Sequence, residues 1–278
     1  ILIGKRMLEH DDWFQMLDVF FRDSRNSLTP RVVVFDGEIS DIVYLDRKEK
    51  PMLPMLLREM IVTKSGRTES TKTNLQELHR QIYEKGMTPY VPQVGLEHDE
   101  IALQGTALLD HRAKLAVSLN IQETVLLLML QKEANHSTSL TIPVPGEWKK
   151  GPFHKNRLSF SMQKVKTTIG TSYANDRFQF DIRVDMRIAL TELLFPYHTD
   201  KEQKQLEKKI ASQVQKLIED LIAKIQKHRV DPLGLGVYAR AYAYKPYKQA
   251  EEHWGQAVAD SNIRVKVHVE IGSTGPVK

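Results

Sequence analysis

Three short clusters in the sequence combine histidine with carboxylate side chains, which are residue types that bind metal ions or transfer protons. They are His10-Asp11-Asp12, Glu97-His98-Asp99-Glu100 and Glu251-Glu252-His253. Neighbouring side chains on extended backbone point to opposite faces, so few members of one cluster can converge on one ion. The first cluster is typical of a helix start, the second of a charged linker before a strand, and the third of a solvated helical face. We therefore predict no catalytic, cofactor-binding or metal-binding residues, and no cofactor.

The motifs of common enzyme classes are missing from the sequence. It has no Gly-x-Ser-x-Gly elbow, no P-loop, no His-x-x-x-His pair and no EF-hand loop. It also has no cysteine, which excludes disulfides, thiolate metal sites and a cysteine nucleophile. Catalytic triads are recognised by the geometry of their side chains and not by their spacing in the sequence, so residues far apart in the chain could still form one. Nothing in the sequence favours that reading, and we predict a protein that is not an enzyme.

The segment Asp231-Pro232-Leu233-Gly234-Leu235-Gly236 contains a Gly-x-Gly pattern. A nucleotide-binding loop needs a strand before the glycines and a third glycine that opens a helix. Here a helical pattern precedes them and no third glycine follows, so we interpret Gly234 and Gly236 as a tight helix-to-helix connection. Asp231 stands before the proline that stops the helix, and Trp254 is expected to pack back on the sheet or the long helix. We predict structural roles for all four residues.

The elements around these residues have clear hydrophobic periods. Apolar residues recur every three or four positions from Leu206 to Ile225, which predicts one amphipathic helix of roughly 25 residues. From Ile263 to Ile271 apolar and polar residues alternate strictly, which predicts a half-buried strand with His268 on its wet face. The stretch from Phe178 to Ile188 alternates in the same way. We expect an antiparallel sheet that carries helices on one face.

The middle of the chain predicts a hairpin, followed by a helix. Strands are expected at Ile101 to Leu109 and at Lys114 to Leu119, and Asn120 to Glu123 matches a capping box before an apolar run. Upstream, Asn74 to Lys85 is typical of a short amphipathic helix. The polar stretch from Lys64 to Lys72 is interpreted as a solvated loop.

Residues 1 to 45 predict a strand, a helix and a second strand. The strands are Ile1-Leu2-Ile3 and Arg31 to Phe35, and Met7 to Phe21 carries a helical pattern between them. This spacing indicates a βαβ-like unit. One such unit cannot close a core, so we expect partner strands upstream of Ile1. The chain also begins without methionine in what reads as the middle of a strand, and we interpret it as a fragment.

A domain boundary is predicted at the two prolines of Thr88-Pro89-Tyr90-Val91-Pro92, which force extended backbone. Residues 1–92 would form a truncated N-terminal α/β region with parts of one or two domains. Residues 93–278 would form a C-terminal α+β domain. The predicted fold class of the whole chain is therefore α+β with more than one domain.

Composition limits the partners of the chain. Its 278 residues are 41% hydrophobic and 27% charged, which is ordinary for a globular protein and argues against disorder. The net charge of +5 is spread along the chain without a dense basic block, so we predict no nucleic-acid binding. The longest apolar run, Thr124 to Leu130, is far too short to span a bilayer. The basic balance would suit a position beside an anionic membrane surface.

Several motifs of low individual specificity occur in an order that resembles that of the spore germinant-receptor C subunits, the Ger(x)C lipoproteins. Ile1-Leu2-Ile3-Gly4, with a helix that closes at Phe21-Arg22-Asp23, is similar to the N-terminal region of that family. Gly105-Thr106-Ala107-Leu108 resembles the start of its C-terminal domain, and Asp231 to Gly236 with Trp254 resembles its end. The sequence departs from the family near Tyr247, where a tryptophan is more usual.

The resemblance implies a location and a set of partners. Members of the family are made with a signal peptide and carry an acylated (palmitate-type) N-terminal cysteine, which would precede Ile1. They are the C subunits of nutrient receptors whose other subunits are integral membrane proteins, in the inner membrane of dormant spores formed by sporulation. The family supplies no catalytic residues. The chain would therefore be extracytoplasmic and lipid-anchored.

Three hypotheses follow for function. The first is a non-enzymatic receptor subunit needed for spore germination that works through protein contacts at the membrane. The alternative is an extracytoplasmic module that binds the germinant, a small molecule, in an apolar pocket with a few polar groups. The third is a hydrolase whose site is assembled from distant residues, which a buried constellation with shifted pKa values would favour.

Overall fold

The computed structural model describes residues 1–45, 51–135, 138–144, 157–193 and 199–273, which form two β-sheets with helices packed against them. The strands of the first sheet, in spatial order, are β1 Leu2–Gly4, β2 Val33–Asp36, β3 Tyr90–Glu97, β4 Glu100–Leu109 and β5 Leu115–Asn120. Those of the second are β6 Ser139–Pro143, β7 Arg157–Ala174, β8 Arg177–Leu193 and β9 Asn262–Ser273. The α-helices of the described residues are α1 Asp18–Arg22, α2 Ile39–Val43, α3 Leu53–Gly66, α4 Leu75–Tyr83, α5 Ile121–Leu130, α6 Thr199–Lys227, α7 Leu235–Tyr242, α8 Tyr244–Ala250 and α9 Trp254–Ala259. The predicted α+β class is confirmed.

The first sheet begins with the predicted parallel unit. Strand β1 pairs with β2 in parallel, as the strand–helix–strand spacing indicated. Strand β2 takes its second partner from downstream, because β3 pairs with it in parallel. The expectation of partner strands upstream of Ile1 stays a prediction. Strands β4 and β5 then extend the sheet as the predicted antiparallel hairpin.

The single helix predicted from Met7 to Phe21 was wrong. The segment forms two 3₁₀-helices, Lys5–Glu9 and Trp13–Leu17, and continues into the short α1. The break lies at Asp12, whose φ of 59° is left-handed and cannot continue a right-handed helix. A tertiary contact also fixes the second 3₁₀-helix, since the indole N–H of Trp13 donates to the carbonyl of Ala113 over 2.7 Å.

Both faces of the first sheet are covered. Strand β2 and the residue before it read as a continuous apolar run because alternate residues enter different cores. Val32 and Val34 pack with the 3₁₀-helices and α4, whereas Val33 and Phe35 pack with α2 and α3. The predicted helix before β3 is confirmed as α4, and the Asn74 side chain caps it by accepting from the Glu77 N–H.

The polar stretch from Lys64 to Lys72 is not the solvated loop that its composition indicated. It contains the end of α3, and the Thr68, Ser70 and Thr71 side chains are buried. Hydroxyl groups tolerate burial when they find hydrogen-bond partners. Thr68 accepts a 2.6 Å hydrogen bond from the Thr138 hydroxyl, and the Ser70 hydroxyl donates to the Thr71 carbonyl. The buried Thr71 hydroxyl has no hydrogen-bond partner among the described residues.

Helix α5 lies between the two sheets. The predicted capping box is present, because Asn120 and Glu123 each accept a hydrogen bond from the other's backbone N–H. Every residue from Thr124 to Leu130 is buried, as expected for a helix that is apolar all round. The same hydrophobic core includes Leu108 of the first sheet and Phe160 of the second.

The predicted domain boundary at residue 92 lies inside β3, and the first sheet includes strands from both sides of that residue. The division of the chain into domains 1–92 and 93–278 remains a prediction.

The second sheet is antiparallel from β6 to β8, and its last pair, β8 and β9, is parallel. A parallel pair needs a crossover connection, and here α6 to α9 supply it. Helix α6 is the predicted amphipathic helix, and its apolar stripe from Leu206 to Ile225 is buried against this sheet. The predicted faces of β9 are confirmed: Val265, Val269 and Ile271 are buried, and the charged residues between them are exposed.

Candidate functional site

The four residues singled out around the Gly-x-Gly pattern meet at one point. The Asp231 carboxylate is fully buried and accepts three hydrogen bonds. The donors are the Leu235 N–H at 3.0 Å, the Gly236 N–H at 2.9 Å and the Trp254 indole N–H at 2.8 Å. Two of these donors belong to the first turn of α7, where free N–H groups and the helix dipole favour an acceptor.

The same aspartate joins this turn to the segment before β3. Its backbone N–H donates to the Thr88 hydroxyl over 2.8 Å, and the Thr88 N–H donates to the Asp231 carbonyl over 2.9 Å. Gly234 has a φ of 69°, a left-handed conformation that glycine adopts without strain. We call Gly86, Thr88, Asp231, Gly234, Gly236 and Trp254 the Asp231 junction.

Two glycines make the close approach possible. A Cβ atom on Gly236 would lie 2.6 Å from the Gly86 Cα and 2.7 Å from Cε2 of Trp254. These distances are shorter than van der Waals contact, so no larger residue fits without displacement of the backbone. The Trp254 ring is itself 4% exposed and packs edge-on to Phe178 of β8, with ring centroids 5.1 Å apart.

Burial raises the pKa of Asp231 above its ordinary value, and the hydrogen bonds from Trp254, Leu235 and Gly236 oppose that rise. Solvent does not reach this carboxylate. The arrangement therefore satisfies a buried acid and ties three segments together.

Ion pairs surround the junction at the surface. Arg240 of α7 binds Glu84 through two hydrogen bonds of 2.8 and 3.0 Å. Burial alone would raise the pKa of Glu84, but the hydrogen bonds from Arg240 and the Gly86 N–H outweigh it and lower the pKa. Lys85 lies 3.6 Å from Glu251 and also contacts Glu252. These pairs link the segment after α4 to the C-terminal helices.

The histidine–carboxylate clusters do not converge. Glu97-His98-Asp99-Glu100 is a two-residue hairpin turn between β3 and β4, with positive φ at His98 and Asp99, and not the linker that we expected. Glu251 and Glu252 are engaged by lysines, and Asp11 pairs with Lys114 at 2.7 Å. Among the described residues, no group of three histidine or carboxylate side chains is placed to hold a metal ion.

Sequence reasoning identified one side of the Asp231 junction and missed the other. Gly86 and Thr88 lie some 150 positions before their partners, and no local pattern links the two segments. Only a co-varying pair in related sequences could have indicated the contact. In the described part of the chain, no helix combines the length and the apolar character that a membrane span requires.

Comparison with known proteins covers almost the whole chain. The family model for the spore germination protein N-terminal domain matches residues 1–96, and the model for spore germination B3/GerAC-like proteins, C-terminal, matches residues 104–275. The chain belongs to the GerAC-like spore germination family. The resemblance read from the sequence is thus confirmed.

Two individual GerAC-like relatives agree with this assignment. The chain is 18% identical to YfkR of Bacillus subtilis (strain 168), whose name assigns it provisionally to spore germination. That similarity covers 99% of this chain and 71% of YfkR. The crystal structure of the GerBC protein superposes with a TM-score of 0.74 at 18% identity, over 98% of this chain and 78% of that one. At this identity the superposition shows a shared fold.

Proposed function

We propose that this GerAC-like chain is the non-enzymatic C subunit of a nutrient germinant receptor and that it works through protein contacts at the outer face of the membrane. Its partners would be the integral membrane subunits, and a lipid anchor upstream of Ile1 would hold it there. A single acyl chain binds membranes only marginally, so stable placement needs protein contacts as well.

The distribution of exposed apolar side chains carries this proposal. Nine of the thirteen large hydrophobic side chains that are exposed in the described residues lie before residue 84. They are Met16, Val19, Ile39, Val43, Tyr44, Met52, Met55, Val62 and Tyr83. We call the part of this set on α2, α3 and the residues beside them (Ile39, Val43, Tyr44, Met52, Met55 and Val62) the N-terminal apolar surface. Both helices pack on the same face of the first sheet, because Ile42 of α2 and Leu57 of α3 share one core with Phe35. Exposed apolar residues grouped on one side of a sheet are candidates for an interaction surface, and this group belongs to the region closest to the expected anchor.

A matched pair of substitutions tests the docking surface. Val62 on α3 is 46% exposed and Val237 on α7 is 38% exposed, so an aspartate at either position disturbs little of the core. We expect Val62→Asp in the full-length protein to reduce both co-fractionation with the membrane subunits and germination, and Val237→Asp to leave both unchanged. Equal effects of the two substitutions would contradict docking through the N-terminal apolar surface.

The anchor has its own test. Replacing the acylated cysteine of the full-length protein by alanine should release the protein from the membrane fraction and impair germination. If an unanchored form does not associate with the membrane subunits yet supports normal germination, the proposed function is wrong.

A second candidate function is direct binding of a germinant. A groove of about 700 Å³ lies between α3 and the β1–β2 edge, with Leu53, Leu57 and Arg58 among its walls. Its volume falls within the usual range of small-molecule sites. Titration of nutrients into the protein and into Arg58→Ala would test it, and equal or absent heats would remove this candidate.

In either case we propose that the Asp231 junction has a structural role. It holds the C-terminal helices against the segment that leads into β3, and so fixes the surfaces on which docking depends.

A further inference from the structure

Strand β9 forms one border of the second sheet. It pairs with β8 on one side, and no described strand pairs with it on the other. It is 12 residues long, well above the usual length of an edge strand that proteins leave open. Open edges present rows of N–H and C=O groups that can pair with another chain.

At one end of this edge, side chains of helix α6 form hydrogen bonds with the outward backbone groups of β9. The Ile271 N–H donates to the Glu207 carboxylate over 2.9 Å, and the Gln203 side chain donates to the Ile271 carbonyl over 3.2 Å. Both backbone groups of Ile271 therefore point away from β8. In a regular strand the direction of these groups alternates from residue to residue, so those of Val265, Val267 and Val269 point outward too. Within the described ranges these outward groups have no hydrogen-bond partner.

Space for an added strand exists along the same edge. A groove of about 520 Å³ separates α6 from Val267 and Val269, with Ala211 in its wall. A second groove of about 720 Å³ borders Ile263 to Lys266 and extends over Asp181 to Arg183 of β8, so it lies against both strands and not along the outer edge alone. Half-buried Ile263 and Val267 supply an apolar floor on which alternate side chains of an extended segment could pack.

The positive charge beside the outer edge of β9 indicates which kind of extended segment could bind there. Lys204 and Lys208 line the first groove and Lys266 the second, and none of the three forms an ion pair within the described residues. The neighbouring acidic groups are already engaged: Glu207 by the Ile271 N–H, Glu219 by Gln215, Asp181 by Arg264 and Glu270 by Arg187. A second copy of β9 would bring basic side chains opposite one another, which disfavours pairing. Acidic side chains would complement them.

We propose that the outer edge of β9 binds an extended segment of a partner protein as an added strand, and that this segment alternates apolar and acidic residues. The inference rests on the proposed function only in that the chain works through protein contacts. The β9 edge lies on the second sheet, whereas the N-terminal apolar surface flanks the first. The two surfaces would therefore allow two partners, or two parts of one partner, to bind together.

A peptide-binding experiment tests this edge directly. The probe is a synthetic nine-residue peptide that alternates valine with glutamate, titrated into the 278-residue chain with backbone amide signals as the readout. We expect shifts concentrated at residues 263–271 and affinity that falls as salt rises. A matched peptide with lysine in place of glutamate should bind at least tenfold more weakly. No binding, equal binding of both peptides, or shifts elsewhere would overturn the proposal.

Two variants separate the edge from the rest of the surface. Val267→Pro removes one outward N–H without a loss of pairing to β8, and should weaken binding at least tenfold, whereas Val267→Thr keeps the N–H and should bind as the wild type does. If Val267→Pro does not fold, Lys208→Glu with Lys266→Glu leaves the backbone intact and should reverse the preference between the two peptides. An unchanged preference in that variant would overturn the proposal.

Germination assays distinguish this inference from the function on which it rests. If the doubly charge-reversed protein stays with the membrane subunits and supports germination as the wild type does, the β9 edge is not used and the proposed function stands. Loss of germination with retained membrane association supports the edge. A dimer that Val267→Pro abolishes would show that the occupant is a second copy and would overturn the proposal.

Discussion

At the scale of single residues, the Asp231 carboxylate depends on three N–H donors, and Trp254 supplies the only one from a side chain. Trp254→Ala removes a nearly fully buried ring and that donor, and we expect it to lower the free energy of unfolding by about 3–5 kcal/mol. Trp254→Phe keeps most of the packing and should cost less. Urea unfolding of the three proteins measures the difference. A Trp254→Ala protein of wild-type stability that no longer functions would make this tryptophan a contact residue.

The contact between Gly86 and Gly236 predicts a position-specific effect of one methyl group. Gly236→Ala places a Cβ against backbone atoms and should destabilise the chain by about 1–3 kcal/mol. A Cβ on Gly66, the last residue of α3, would meet no atom within 4 Å outside its chain neighbours and the nearby backbone of its own helix, so Gly66→Ala is a matched control that should be neutral or slightly stabilising. Thermal unfolding of both variants tests the claim, and equal shifts would contradict it.

Asp231 also predicts a dependence of stability on pH. Its pKa is higher in the folded chain than its ordinary value of 3.8, so the folded state binds the proton more tightly. This contribution is fully present below pH 3.8 and is lost as the pH rises through the folded-state pKa. In Asp231→Asn this dependence should disappear. Urea titrations of the two proteins from about pH 4 upward check the sign: their difference in stability should change with pH, and a constant difference would refute the assignment.

At the scale of elements, α5 depends on its first turn. The Asn120 side chain accepts from the Glu123 N–H over 2.9 Å, and Glu123 also binds Lys224 of α6 at 2.9 Å. Asn120→Ala should lower the free energy of unfolding by about 1 kcal/mol, the usual value of a helix cap. Glu123→Gln keeps an acceptor for the cap but weakens the contact with Lys224, and should cost less. Chemical denaturation compares them, and a neutral Asn120→Ala would contradict the role of the cap.

The elements that were predicted correctly from the sequence are those with a regular hydrophobic period along the chain. Strand β9 and helix α6 each bury one face, and their alternation or three-to-four spacing shows which face. The segment before α1 was predicted wrongly, since the apolar spacing from Met7 to Phe21 fits a helix but a left-handed Asp12 divides it. The burial of Thr68 and Ser70 could not be predicted either. A run of polar residues is typical of an exposed loop, but hydroxyl groups can be buried when they are hydrogen-bonded, and the sequence does not show their partners.

At the scale of the whole molecule, the two sheets share one core through α5. Side chains from β4, α5 and β7 belong to the same hydrophobic cluster, and the Asp231 junction adds a second link. We therefore expect one cooperative unfolding transition. In one wild-type sample followed through a urea titration, the backbone amide signals of β4 in the first sheet and of β8 in the second should lose intensity at the same midpoint. Two separate midpoints would show that the sheets unfold independently.

The arrangement of whole units was predictable only in part. The order of soft motifs predicted the family, and the family fixes the fold. The placement of β3 between β2 and β4, and the contact of Gly86 with Gly236, depend on pairings across long stretches of sequence. Hydrophobic periodicity shows which face of a segment is buried, but it does not show which other segment packs against that face.

The parallel pairing of β8 with β9 has a consequence for the order in which the chain folds. Gln179 lies opposite Asn262, so this pairing closes a loop of roughly 80 residues. During synthesis the ribosome must complete α6 to α9 before β9 emerges, and domains fold as their residues appear. Until then the edge of β8 and the apolar stripe of α6 lack their final neighbour. The nascent protein therefore passes through a stage in which the edge of β8 is open to pairing with other chains, and β9 ends that stage when it covers this edge.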